Sequence, residues 1–350
     1  MHPEEAHKPS SAGLFVAVVF VFLLFLTAAL VFASFPVGAY AFFSGNLSGN
    51  FSASSLGNPY LWVGPLPVVL PFQTSYGTAF LFVSFVYVAM FVAAATQGRR
   101  LTSAVSSVMK EGLRGLFSNT LIVVLVSIGF LVFTATVLDS LVIAAGGTIG
   151  NQIFAGDPLR ILVGLTLTPL REEFGFRMLV IGLFAVALSV GRPARSALLA
   201  FWRPSAAYQG LAVGGAAFAI IWAVTGASAV AFGVCHVSTI CGGGWDLAKL
   251  PEATYGGIVL GYLYVKYGFH VAVLAHWGVD YFGLIYAFFG QAVSGIPWNS
   301  ATNEYVLQQV VDVDLLFLFG VASFLVVIYV GVKGLVAKRA GAPAGNIGSS

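Results

Sequence analysis

Charge is what this sequence has least of. Only 8% of its 350 residues are Asp, Glu, Lys or Arg, where a soluble domain carries about 25%. So few charges cannot cover a water-exposed body of this size, and a soluble globular fold is excluded. Cysteine is almost absent as well. Cys235 and Cys241 can pair or stay free, and they form neither a zinc-finger spacing nor a disulfide framework. The net charge is only +3 and no nucleic-acid motif is present, so no nucleic-acid partner is expected. What fills the chain instead is apolar: 59% of residues are hydrophobic and the mean hydropathy is +0.94. The bilayer is the solvent this composition suits. The 31 Phe and 41 Gly fit packed membrane helices, where small residues allow close approach.

Apolar runs of spanning length fall at 13–34, 77–96, 119–145, 159–190, 212–237, 255–266, 269–290 and 313–332. In lipid such runs must be helices, because each backbone polar group has to find its partner within the chain. The expected fold is therefore all-α: a polytopic bundle of about eight transmembrane helices. The first run is read as a membrane helix rather than a cleaved signal, since the preceding MHPEEAHKPS is polar and acidic. Basic residues set the orientation. Arg99, Arg100, Lys110 and Arg114 separate the second and third helices, Arg192, Arg195 and Arg203 the fourth and fifth, and Lys333, Lys338 and Arg339 follow the last. Segment 43–76 has no charge, and 291–312 has only Glu304. Both termini are thus expected in the cytoplasm, in a multi-pass protein of the cell membrane.

The domain reading follows. Residues 1–12 form a polar tail, 13–158 three accessory helices, 159–290 a core of four helices, 291–340 an outer loop with the last helix, and 341–350 a disordered tail. Segment 101–117 reads as an interfacial helix. The stretch PYLWVGPLPVVLPF (59–72) is too rich in proline for a spanning helix and is placed at the outer interface.

Ionisable residues inside such helices are costly, so they are functional candidates. Three groups stand out. In PLREEFGFR (169–177), Glu173 and Arg177 are four apart and can pair, while Glu172 is rotated about 100° away, without that partner. An unpaired carboxylate suits a general base acting on water. Phe232 and His236 are four apart in the fifth run, and His276 and Asp280 four apart in the seventh. A His and a carboxylate on one turn serve metal ligation or proton transfer equally well. Each group alone also fits an internal structural pair. Together, Glu172, His236, His276 and Asp280 come from three helices and can converge on one buried water or metal.

The order EEFGFR (172–177), FGVCH (232–236) and HWGVD (276–280) resembles the CAAX protease and bacteriocin-processing membrane proteins, the CPBP or ABI family. The resemblance covers roughly 160–285, about a third of the chain. It implies an intramembrane endopeptidase, glutamate- or metal-dependent, acting on a membrane-associated peptide of the prenylated type. It assigns water activation to Glu172, the two active-site histidines to His236 and His276, and the closing Asn/Asp position to Asp280. Glu173, Arg177 and Phe232 fill supporting positions. A zinc ion on His236, His276 and Asp280 is left open by the resemblance. Asp280 departs from the commoner Asn, and Met178 from a frequent Gly. Two other readings compete: a non-proteolytic scaffold or immunity protein of the same build, and a proton-coupled transporter.

Overall fold

The computed structural model describes residues 11–47, 54–64, 66–150, 156–205, 214–241, 244–298 and 314–339. The expectations for residues 1–10 and for the tail beyond 339 lie outside these. Among the described residues, six helices are long and apolar enough to cross a bilayer: Gly13–Phe43, Tyr76–Thr96, Thr120–Ala144, Gly215–Val237, Phe269–Ser294 and Leu316–Val336. The chain is an integral membrane protein. Two further long helices begin at Pro158 and Lys249. Both were expected as spans, but apolarity does not establish them. One carries Arg160, Arg171, Glu172, Glu173 and Arg177, the other Lys249, Glu252 and Lys266.

The elements in order are α1 (Ser11–Phe43), four short strands, α2 (Tyr76–Thr96), the short helices α3 (Leu101–Ser106) and α4 (Val108–Glu111), and α5 (Thr120–Ala144). Then come α6 (Pro158–Glu172), a π-helical stretch Glu173–Gly182, α7 (Leu183–Ala187), α8 (Ala194–Trp202), α9 (Gly214–Val237) and α10 (Lys249–Tyr267). The last are α11 (Phe269–Trp277), a π turn Gly278–Phe282, α12 (Gly283–Ser294) and α13 (Leu316–Arg339). The first helix outruns its expected end by nine residues, from 34 to 43, because Pro36 is accommodated inside it. The short sixth run extends back to Lys249.

The bundle is all-α, with one small addition. Residues 55–75 form two small antiparallel ribbons: β1 (Ser55–Gly57) with β4 (Thr74–Ser75), and β2 (Tyr60–Val63) with β3 (Leu66–Val69). Prolines break a helix here, but Tyr60, Trp62, Val68 and Val69 suit a strand. Gly64, at φ 57°, supplies the left-handed residue that lets the β2–β3 hairpin reverse.

Helix α11 is the axis of the bundle: every residue from Phe269 to Trp277 is buried. A helix apolar on all sides belongs in a centre, not on a surface. It is enclosed by α2, α5, α6 and α10. Helices α9 and α10 meet through small residues. A Cβ on Gly257 would stand 3.0 Å from the Ala229 backbone, and one on Gly261 would stand 2.6 Å from Thr225. Spaced four apart, these residues make the close seam that membrane helices use where lipid gives no hydrophobic drive between them. The seam sets α9, and with it Phe232 and His236, against α10.

Candidate active site

All three sequence motifs face one cavity of about 470 Å³, whose wall includes Glu172, His236, His276 and Asp280. Two of the motifs straddle a change of helix type. Glu172 ends α6 and Glu173 opens the π stretch; His276 lies next to the end of α11 and Asp280 lies in the π turn. A π turn widens the helix and re-aims its side chains, and such turns recur at functional sites. Neither widening is visible in residue spacing.

His276 is the hub. Its Nδ1 lies 3.0 Å from Oε1 of Glu173. Its Nε2 lies 3.5 Å from Oδ2 of Asp280 and 3.8 Å from Oε2 of Glu172. One imidazole is thus framed by three carboxylates. A carboxylate only accepts, so Nδ1 carries the proton shared with Glu173. Nε2 is then a bare acceptor in the neutral ring and a second donor in the cation.

Glu173 serves two partners. Its other oxygen lies 3.2 Å from Nε of Arg177, and both side chains are shut away from solvent. The pair expected from sequence is present, but the bond from Glu173 to His276 was not foreseen. Arg177 also donates from Nη2 to the Gly257 carbonyl at 3.4 Å and stands 4.2 Å above the Phe232 ring. Phe232 meets His236 at 4.5 Å and His276 at 5.9 Å between ring centroids. It is the apolar spacer between the guanidinium and both imidazoles, a role that its helical spacing to His236 alone did not reveal.

His236 donates from Nδ1 to the Phe232 carbonyl at 2.9 Å, since a carbonyl can only accept. Its neutral ring therefore keeps Nε2 unprotonated. Glu172 stands near His276, but 3.8 Å exceeds a direct hydrogen bond, and its Oε2 is buried without a hydrogen-bond partner. Buried carboxylate oxygens are nearly always satisfied, so this one calls for a donor such as water.

The same geometry tests the zinc expectation. A catalytic zinc takes three protein ligands and leaves one position open. Among the described residues, no group of three or more His, Cys, Asp or Glu stands close enough to share an ion. No step below is routed through a metal.

Two features were not anticipated. Cys235 and Cys241 form a disulfide at the wall of the cavity, beside His236. The β2–β3 hairpin contributes Tyr60 and Trp62 to the same wall.

These features define an integral membrane protein with a buried carboxylate–histidine cavity. Residues 154–282 match the family model described as Rce1-like, type II CAAX prenyl endopeptidase. The match spans all three motifs and is the family that they resembled. Neither a curated protein nor a solved structure matches the chain.

Proposed function

We propose that the protein is an intramembrane endopeptidase of the CAAX prenyl type, hydrolysing a peptide bond of a membrane-held substrate with a water activated by Glu172. The observation that carries this reading is the unpartnered, buried oxygen of Glu172, 3.8 Å from His276 Nε2 in a cavity of about 470 Å³. Glu172 accepts a proton from water as the oxygen attacks the carbonyl carbon. His276, oriented by Glu173 and Asp280, donates from Nε2 in its cationic form to the oxyanion that develops. Nε2 of His236 orients the attacking water. When the C–N bond breaks, Glu172 passes its proton to the leaving amine, and acid and free amine result. General-base catalysis of this kind contributes about 10²–10⁴-fold, and oxyanion donors about 10²–10³-fold each.

The test is cleavage of a fluorescent farnesylated CAAX-type peptide by the full chain in lipid vesicles. Glu172→Gln keeps the size of the side chain but cannot take the proton, and cleavage should fall by about 10²-fold or more. Equal cleavage by both proteins removes Glu172 from the mechanism.

A further inference from the structure

Three charges in the cavity wall are unused by this mechanism: Lys249 and Glu252, which pair with each other, and Arg171. Arg171 precedes Glu172 at the end of α6. Among the described residues no carboxylate forms an ion pair with it: Glu173 is taken by Arg177 and His276, and Glu172 by the neighbourhood of His276. Its Nη2 donates to Thr168 Oγ1 at 3.0 Å, and its guanidinium carbon stands 4.4 Å from the centre of the Tyr60 ring. Its Nε is buried with no partner at all. The hydroxyl and the ring fix the orientation of the guanidinium without neutralising it. A cation buried in part and not compensated is expensive, and such residues are candidates for ligand sites.

We propose that Arg171 is the residue that anchors the C-terminal carboxylate of the peptide. The proposal rests on the peptidase reading of the same cavity. Tyr60 and Thr168 hold the guanidinium in one orientation at the cavity wall, and its planar, charged group is of the kind that pairs with a carboxylate. The wall also carries Glu172, Asp280 and the paired Lys249 and Glu252, so Arg171 is its one cation without a carboxylate partner among the described residues. Tyr60 lies in the hairpin outside the matched segment 154–282, so this subsite is assembled partly by the N-terminal region.

The test reads binding without turnover. Full-length Glu172→Gln protein in phosphatidylcholine vesicles is titrated against a fluorescent farnesylated peptide ending in a free carboxylate, and against the same peptide ending in an amide. The acid should bind about tenfold or more tightly. Adding Arg171→Gln should abolish that difference and leave amide binding unchanged. Equal affinity for acid and amide with Arg171 intact overturns the proposal, as does a preference that survives Arg171→Gln. Should Arg171→Gln not fold, Arg171→Lys decides. It keeps a point charge without the fork, so the preference should drop severalfold, and an unchanged preference overturns the assignment. Phosphatidylglycerol is then added to the vesicles. Competition with the acid peptide that requires Arg171 would make a lipid headgroup the occupant and end the proposal. Because affinity is measured without cleavage, failure of the hydrolase reading leaves this outcome separately visible.

Discussion

One carboxylate, that of Glu173, joins His276 to Arg177: Oε1 lies 3.0 Å from the imidazole Nδ1 and Oε2 lies 3.2 Å from the guanidinium Nε. Glu173 is wholly buried and Arg177 nearly so. Removing one partner of such a pair strands the other charge in a low-dielectric interior and costs about 3–5 kcal/mol. Glu173→Ala should therefore lower the thermal unfolding midpoint clearly. Glu172→Ala, whose side chain borders the cavity, should shift it little. Unfolding of Glu173→Ala at the wild-type temperature would show that the pair does not hold the helices.

Gly175 lies between Glu173 and Arg177 and touches a part of the chain more than a hundred positions away. A Cβ there would stand 2.5 Å from Trp62 Cβ and 2.7 Å from the Trp62 carbonyl oxygen. Gly64 also donates its backbone N–H to the Gly175 carbonyl at 3.4 Å. The clash is with backbone, so no rotamer change relieves it, and the hairpin must lift. Overpacking of this kind costs about 1–3 kcal/mol. Gly175→Ala should raise KM for the farnesylated peptide more than it lowers kcat, because Tyr60 and Trp62 leave the cavity wall. Gly226→Ala, with open space around its Cβ and outside the cavity wall, is the control and should match wild type. Identical kinetics for the two variants would detach the hairpin from the cavity.

These contacts mark how far the sequence could be read. The membrane class, the helix positions and the three motifs were legible, because apolar length and buried charge leave direct traces in residue order. The pairing of His276 with Asp280 was legible as well, since four-residue spacing stacks side chains on one helix face; the convergence of Glu172 on them followed from the scarcity of buried charge, not from spacing. The second function of Glu173 was not, because its bond to His276 joins residues 103 positions apart and depends on a π stretch. Proline content placed residues 59–72 at the outer interface, but did not reveal that two of their aromatic side chains line the cavity. That placement follows from the Gly175 notch, which no local pattern announces.

Chelation separates the two forms of catalysis that the family resemblance left open. Because no three donor residues converge among the described residues, hydrolysis should continue in EDTA or 1,10-phenanthroline at concentrations that strip zinc. Activity measured before and after extended dialysis against chelator gives the result. Loss of cleavage that added Zn²⁺ restores would overturn the metal-free mechanism.

The Cys235–Cys241 disulfide closes a six-residue separation at the end of α9 and holds the last turn that carries His236. Loop-closure entropy for so short a loop is worth about 2 kcal/mol. The orientation expected from basic residues places this loop outside the cell, where disulfides persist. A membrane-impermeant reductant applied to intact cells should therefore expose both thiols to an impermeant maleimide. In purified protein, reduction or the double change Cys235→Ser with Cys241→Ser should lower the unfolding midpoint by a few degrees. It should also reduce kcat severalfold, because the chain around His236 then frays while Glu172 and His276, held by α6 and α11, stay in place. Full activity after complete reduction would mean that α9 positions His236 through its seam with α10 alone.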